Sequence, residues 1–413
     1  KMTMFWHNHF AVEFVVVGRP RACYDYFKLL RENALGNFKT LATKITTNPA
    51  MLRYLNGIYN TKNSPDENYA REVMELFTLG KDENSKYTED DVIAAARVLT
   101  GWKNQPDWRD SEFKSWAHDT DDKVFSSFFN NTVITGKTGT AGADETQELI
   151  DMIFTKEDVI ARYMVEEFYK YFIYYNITPD IRTNIIIPLA DEFKKDWEIK
   201  PLLQALLTST HFYDDLNRGC FIKTPFDLYG NMARTFKAHH PNDTVEKEYL
   251  SYQFTYFFTG LMGMGLGAPP NVSGWPAFYQ IPKFHEMWIN SDTYPKRIQY
   301  CVYLGLAGHR VKDELLKIDL LSYAEGFGAD AADPNKLVNL SCEYLLGVDL
   351  SQTSKDKLKT DALLSGIPMD SIWTDSWNAY LADKTDINKT NTVLFRVASM
   401  FQVIFELPEF QLH

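Results

Sequence analysis

Three groups of residues in this chain have the types and spacing that chemistry uses. His7 and His9 flank Asn8 in the run Phe5-Trp6-His7-Asn8-His9-Phe10. On a strand two such histidines share a face and could hold one metal ion. On a helix they lie about 200° apart, and His9 instead meets Glu13 at i, i+4. The plainer account is a pair of hydrogen-bonded core histidines. The second group is Arg71, Glu72 and Glu75, where Glu67, Arg71 and Glu75 recur every fourth residue beside Asn68 and Glu72. Facing a pocket, Glu72 and Glu75 could act as an acid/base pair or ligate a cation, held by Arg71. On an open helix face the same ladder is a set of weak ion pairs. The third group is His118 and Asp119 with Lys123, in which Asp119 could orient the imidazole for proton transfer. A turn-stabilising Asp next to an exposed His explains the same residues more simply.

A fourth candidate is aromatic. From Tyr249 to Pro282 the chain carries no Asp, Glu, Lys or Arg, and its second half is broken by glycines and by Pro269-Pro270. We read it as a helix running into a buried or groove-lining loop. Trp275, Phe278 and Tyr279 lie in that loop, with Trp288 beyond it. Trp102, Trp275, Tyr279 and Trp288 are the ligand-binding candidates, as aromatic platforms for a carbohydrate or an apolar ligand. No Ser sits in a G-x-S-x-G elbow, and the Gly260-Gly267 run lacks the strand and helix of a dinucleotide fingerprint.

The elements that must position these residues are helical. Ser64-Pro65-Asp66-Glu67 reads as a capping box with Pro at the first helical position, opening a helix that runs to Gly80. Thr88-Glu89-Asp90-Asp91 is a weaker version. Thr155, Thr178-Pro179 and Thr224-Pro225 mark further starts, and Gly80 and Gly101 mark stops. Tyr69, Ala70, Val73, Met74, Leu76 and Phe77 then share one arc at 100° per residue. Strand signals concentrate at 113–136, where Lys123-Val124-Phe125 and Thr132-Val133-Ile134 flank Asn130-Asn131. The expected fold is all-α, a multi-helix globular body with one small β-hairpin insertion. Its main domain spans 1–325, including the charge-free loop segment 249–282. A small-residue linker before Pro334 leads to a C-terminal helical region over 334–413.

Composition narrows the partners. With a net charge of −12 and no dense basic patch, the chain has no electrostatic claim on nucleic acid. No run of 18 apolar residues predicts a transmembrane helix. The four cysteines (Cys23, Cys220, Cys301, Cys342) lack a C-x-x-C pair, which leaves room for one or two long-range disulfides.

Phe5-Trp6-His7-Asn8-His9-Phe10, Glu67 through Gly80 and Pro269-Pro270-Asn271-Val272-Ser273-Gly274-Trp275-Pro276 together resemble the bacterial family called domain of unknown function 1800. Leu99-Thr100-Gly101-Trp102, His118-Asp119 with Lys123, Trp288-Ile289-Asn290-Ser291 and Pro408-Glu409-Phe410-Gln411 fit it in the same order. The family usually shows His where this chain has Phe77. It also usually carries a helical portion ahead of Trp-His-Asn-His, so the chain is expected to be the remainder of a longer protein. The resemblance implies export to the periplasm, cell surface or extracellular space, a member similar to those of Bacteroidetes, and no known cofactor or reaction. It implies as partner a protein of the family domain of unknown function 1501; a surface glycan is the other partner expected. The leading expectation is an accessory or binding component of a cell-surface assembly. The alternative is a hydrolase-like or metal-dependent enzyme.

Overall fold

The structure is a computed structural model that describes residues 1–81, 84–275 and 286–413. Its contacts form two compact units: Lys1–Asp214 with Gly267–Tyr279, and Asp215–Leu266 with Gln280–His413. This division differs from the expected 1–325 and 334–413. The supposed linker is packed: Gly328–Ala332 forms a 3-10 turn, Ala331 is fully buried, and its carbonyl accepts the Trp373 indole N–H at 2.8 Å.

Unit 1 contains α1 (Met2–His9), α2 (Phe14–Val17), α3 (Pro20–Glu32), α4 (Phe38–Thr46), α5 (Pro49–Tyr54), α6 (Asn68–Glu75), α7 (Glu89–Val98), α8 (Asp144–Ile153), α9 (Glu157–Phe172), α10 (Pro179–Ile181), α11 (Ile187–Phe193) and α12 (Ile199–Leu207). Two short hairpins join them, β1 (Trp102–Asn104) with β2 (Ser111–Phe113) and β3 (Lys123–Val124) with β4 (Val133–Ile134). Helix α1 buries Phe5, Trp6, His7 and His9, leaves Met2, Thr3, Met4 and Asn8 half-buried, and packs into the core. The Trp6 ring stacks on Phe10 and Phe38 and takes the Phe168 edge, and its N–H reaches the Ala34 carbonyl at 3.0 Å.

Unit 2 contains α13 (Pro225–Thr235), α14 (Val245–Leu261), α15 (Thr293–Leu306), α16 (Leu320–Glu325), α17 (Pro334–Leu345), α18 (Gln352–Lys357), α19 (Ser371–Ala382) and α20 (Ile387–Glu406), with a hairpin of β5 (His309–Val311) and β6 (Glu314–Leu316). Its core gathers Phe236, Tyr300, Trp373, Trp377, Phe401 and Phe405. The all-α body is as expected, and so is the β3–β4 pairing, with Asn130 and Asn131 in left-handed conformation between the strands. The other two hairpins have three-residue strands and were not anticipated. No helix among the described residues is long and apolar enough to cross a membrane. All four cysteines are free thiols, so the long-range disulfides do not form.

The caps at Thr88, Thr178 and Thr224 are made as expected, and that at Thr88 is a complete capping box with Asp91. The start at Ser64 is not. Ser64 is engaged in a tight turn with Thr61, Asn60 Oδ1 accepts the Asp66 N–H, and α6 begins only at Asn68. Asp66 Oδ1 accepts the Asn68 N–H at 2.9 Å, doing at the helix entry what Ser64 was expected to do. Thr155 donates its hydroxyl to the Met152 carbonyl, and α9 starts at Glu157 without a side-chain cap.

These local signals differ from a buried charge in what they contribute. Thr88→Ala should cost about 1 kcal/mol through the lost cap. Glu145→Ala, which strands the buried cations described below, should cost about 3–5 kcal/mol. Urea unfolding of both variants measures the gap, and equal losses would show that the buried network adds nothing beyond a surface cap.

Candidate functional site

Three of the singled-out motifs meet in unit 1: α1, the loop 267–275 and the end of α6. His7 is fully buried, and its Nδ1 lies 3.0 Å from the Tyr26 hydroxyl. Tyr26 gives its own proton to the Phe10 carbonyl at 2.7 Å, so Nδ1–H must be the donor. Nε2 is then the acceptor for the Gly267 N–H at 3.2 Å. Both ring nitrogens are used, and burial lowers the imidazole pKa to about 3. Next along the helix, Asn8 Oδ1 accepts the Trp275 N–H at 2.8 Å. Gly274 has φ +79°, and a Cβ there would come within 2.3 Å of the Asn8 carbonyl, so only glycine permits this approach.

His9 Nε2–H donates to the Phe77 carbonyl at 3.1 Å. Burial lowers its pKa to about 4, with the Glu167 charge and the Phe77 bond working against it. The two imidazoles have different surroundings, His7 among Phe27 and Trp275, His9 against Phe5 and Phe10. They do not converge on one point. Because α1 ends at His9, Glu13 falls outside that helix and the expected i, i+4 pair is not built. Among the described residues no group of three or more His, Cys, Asp or Glu could hold a metal ion.

The α6 arc is split in its behaviour. Arg71 bonds Glu89 through two nitrogens and Glu67 at 3.1 Å, and the Glu89 bonds in particular hold its pKa above the ordinary arginine value. Glu75 pairs with Lys81 at 3.0 Å. Glu72 lies between them, only 9 % exposed, and its carboxylate makes no hydrogen bond to any described residue. Burial, reinforced by the Glu75 charge, lifts its pKa to about 7 despite Arg71 and Lys81. Tyr54 and Tyr87, whose own pKa values are raised chiefly by burial, both sense the Glu72 charge. A carboxyl half-protonated near neutrality can give or take a proton, and here it lacks the partner that would fix its state.

His118 is buried, but Asp119 does not orient it. Its Nε2 lies 3.0 Å from Glu145 Oε1, and its Nδ1 faces Thr100. Glu145 is fully buried on α8 and also takes the Lys123 ammonium at 2.6 Å and the Lys137 N–H at 2.6 Å. Asp119 is held by Arg97 at 2.7 and 3.1 Å. Burial opposes the charged form of Asp119, yet the Arg97 bonds keep its pKa below the ordinary value. The expected His118–Asp119 couple is therefore replaced by two pairings, His118 and Lys123 on the fully buried Glu145 and Arg97 on the partly exposed Asp119, which together tie the hairpin insertion to α7 and α8. Glu145, the true partner, stands 27 residues from His118 and carried no local signal.

Of the aromatic candidates, Trp102 donates to Thr146 Oγ1 at 2.9 Å and sits edge-on to Phe113. Trp275 and Trp288 are buried in units 1 and 2 respectively, so neither is an open platform. Tyr279 and Phe278 lie outside the described residues. In unit 2, Arg297 was not anticipated. It is fully buried, with Nε on Gln411 Oε1 at 2.8 Å and Nη2 on the Lys223 carbonyl at 2.7 Å. It explains the closing Pro408-Glu409-Phe410-Gln411 motif as a seat for a buried guanidinium. Cavities of about 420 and 410 Å³ open in unit 2, and none of the predicted site residues lines either.

Glu72 and His7 give opposite pH dependences. The folded Glu72 pKa of about 7 lies above its ordinary 4.5, so its ionisation weakens the fold as pH rises from 4.5 through 7. Glu72→Gln should therefore stabilise the protein by about 2 kcal/mol at pH 8 and leave it nearly unchanged at pH 4. His7, folded near 3 against 6.5, instead removes stability as pH falls below 6.5. Thermal melts of the wild type and Glu72→Gln across pH 4–8 measure the first effect. A variant less stable at pH 8 would show that Glu72 is held by a favourable interaction.

The family model described as Protein of unknown function (DUF1800) matches residues 1–412. No curated protein and no solved structure matches the chain. Matched over essentially its whole length, the chain belongs to the family domain of unknown function 1800.

Proposed function

We propose that the protein is an exported bacterial accessory component that binds another protein through the outer face of α14. The observation that carries this is a stripe of exposed apolar side chains. Val245, Tyr249, Tyr252 and Tyr256 follow one another at intervals of four, three and four residues, which confines them to about 60° of the helix surface. They are 84 %, 64 %, 56 % and 52 % exposed, and Phe257 and Leu261 widen the stripe. From Tyr249 to the end of the helix no side chain is charged. A contiguous exposed apolar face of this kind is rare on a protein that works alone.

The composition of the stripe favours a protein over a sugar at this place. Tyrosines concentrate in protein–protein contact centres, whereas a sugar site needs charged or amide groups to read hydroxyls. From Tyr249 onward the exposed helix offers, besides these tyrosines, only the Gln253 amide; the Glu246 and Glu248 carboxylates lie in its first turn. A protein of the family domain of unknown function 1501, expected from the resemblance, is the partner we assign. Export and a bacterial, Bacteroidetes-like source are supported by the same resemblance and by nothing in the fold.

A second reading rests on Glu72. Its unpaired, nearly buried carboxyl suits acid–base chemistry, as a hydrolase-like enzyme would need. The other candidates do not assemble around it. His118 and Glu145 form a sealed cluster, His7 is used at both nitrogens, and Arg71 is held by two glutamates. The binding reading is therefore preferred.

The test is the affinity for a domain of unknown function 1501 protein from the same organism, measured by biolayer interferometry. The wild type should bind, and the triple variant Tyr249→Ala, Tyr252→Ala, Tyr256→Ala should bind at least about 100-fold more weakly, since each truncated contact residue contributes about 1–2 kcal/mol. Equal affinities, no complex, or self-association of the wild type through the same tyrosines would each overturn the assignment.

A further inference from the structure

We propose that the cavity between α13, α16 and α17 of unit 2 is a binding site for a neutral sugar ring. The site is separate from the α14 stripe and does not depend on the function assigned to it. Its volume of about 420 Å³ falls within the range of small-molecule sites, about 300–1,000 Å³.

The walls are aromatic. Phe236 is buried and meets Tyr323 at 4.7 Å between ring centroids, and Tyr323 meets the edge of Phe327 at 5.3 Å. Phe327 then stacks with Tyr344 at 6.0 Å and 29°, and Tyr344 is 69 % exposed. This leaves a run of ring surface from the interior to solvent, the kind of surface that accepts the C–H face of a flat, amphipathic ring.

The polar groups decide what the ring carries. Lys237 and Asp319 bring one positive and one negative charge to the same cavity, with the Ser322 hydroxyl alongside. Asp319 Oδ1 accepts the Ser322 N–H at 2.9 Å as the cap of α16, and Oδ2 makes no protein hydrogen bond among the described residues. Lys237 likewise pairs with no described carboxylate. An anionic ligand would meet Asp319, and a cationic one would meet Lys237. A neutral ring bearing several hydroxyls can donate to the carboxylate and accept from the ammonium at once. The chain's net charge of −12 also disfavours acidic polysaccharides.

Lys237 has φ +47° because it closes the C-terminus of α13, where the Ala238 N–H returns to the Ala233 carbonyl at 2.8 Å. This left-handed cap follows the buried wall residue Phe236 and sets where the Lys237 side chain leaves the helix end; glycine would adopt it at lower cost.

The experiment is isothermal titration of the full chain with hexamers of β-1,4-glucose, β-1,3-glucose, β-1,4-xylose and β-1,4-mannose, and with an oligogalacturonate as the acidic control. At least one neutral hexamer should bind saturably and the acidic control should not. Tyr344→Ala, which removes an exposed ring, should weaken binding at least tenfold. Lys237→Gly, which suits the local backbone, should do the same while raising the melting temperature. The proposal is overturned if no neutral hexamer binds, if the acidic oligomer binds as well as the neutral ones, or if binding survives both substitutions.

Discussion

Unit 1 depends on the requirement that buried polar groups find partners. Helix α1 lies in the core, so every polar group it brings must be bonded inside the protein. Trp6 reaches Ala34, His7 is held between Tyr26 and Gly267, Asn8 receives Trp275, and His9 gives to Phe77. One eight-residue helix thereby fixes four distant segments, including a loop more than 260 positions away. The Trp-His-Asn-His run is explained by this alone. A neutral histidine with a donor on one nitrogen and an acceptor on the other can bridge two backbone segments that no apolar residue could join.

The same rule governs the charges. Glu145 lies where no water reaches, and it is tolerated because His118, Lys123 and a backbone N–H all point at it. Asp119 is matched by the fork of Arg97, a geometry that suits carboxylate better than imidazole does. Each carboxylate has chosen the partner that satisfies more of its lone pairs. In unit 2 the rule is met only in part: Arg297 is bonded to Gln411 and a carbonyl instead of a carboxylate, its Nη1 has no partner among the described residues, and burial lowers its pKa to about 10.

What could be read from the chain follows from how local each signal is. A Thr-Pro start or a Thr88–Asp91 box is complete within four residues, and those caps are where they were expected. Ser64 carried an equally good local signal, but Asn60 and Thr61 compete for the same backbone and shift the helix start from Pro65 to Asn68. The β3–β4 hairpin was legible from Asn130-Asn131. β5–β6 was not, because its turn uses Lys312 at φ +58°, a residue with no turn preference. Glu72 could be named from its place on the α6 arc. Glu145, Lys223 and Arg297 could not, since their significance lies in long-range partners that only the folded chain supplies.

The residues most legible as catalytic are largely those the fold uses to hold itself together, and Glu72 departs from that pattern. A largely buried carboxyl whose pKa is raised to about 7 weakens the protein once it ionises, and a glutamine or methionine of similar shape would not. Arg71 is at hand on the same helix but is committed to Glu67 and Glu89, so no partner is spared for Glu72. Glu72 shares the buried side of α6 with Tyr69, Ala70, Val73 and Met74, all of them apolar or aromatic side chains. Residues that oppose stability with no packing role belong to a protein's function more often than to its fold. The outer face of α14 follows the same logic from the other side. Three exposed tyrosines contribute little to the stability of the isolated chain, and they acquire a physical purpose only when something covers them.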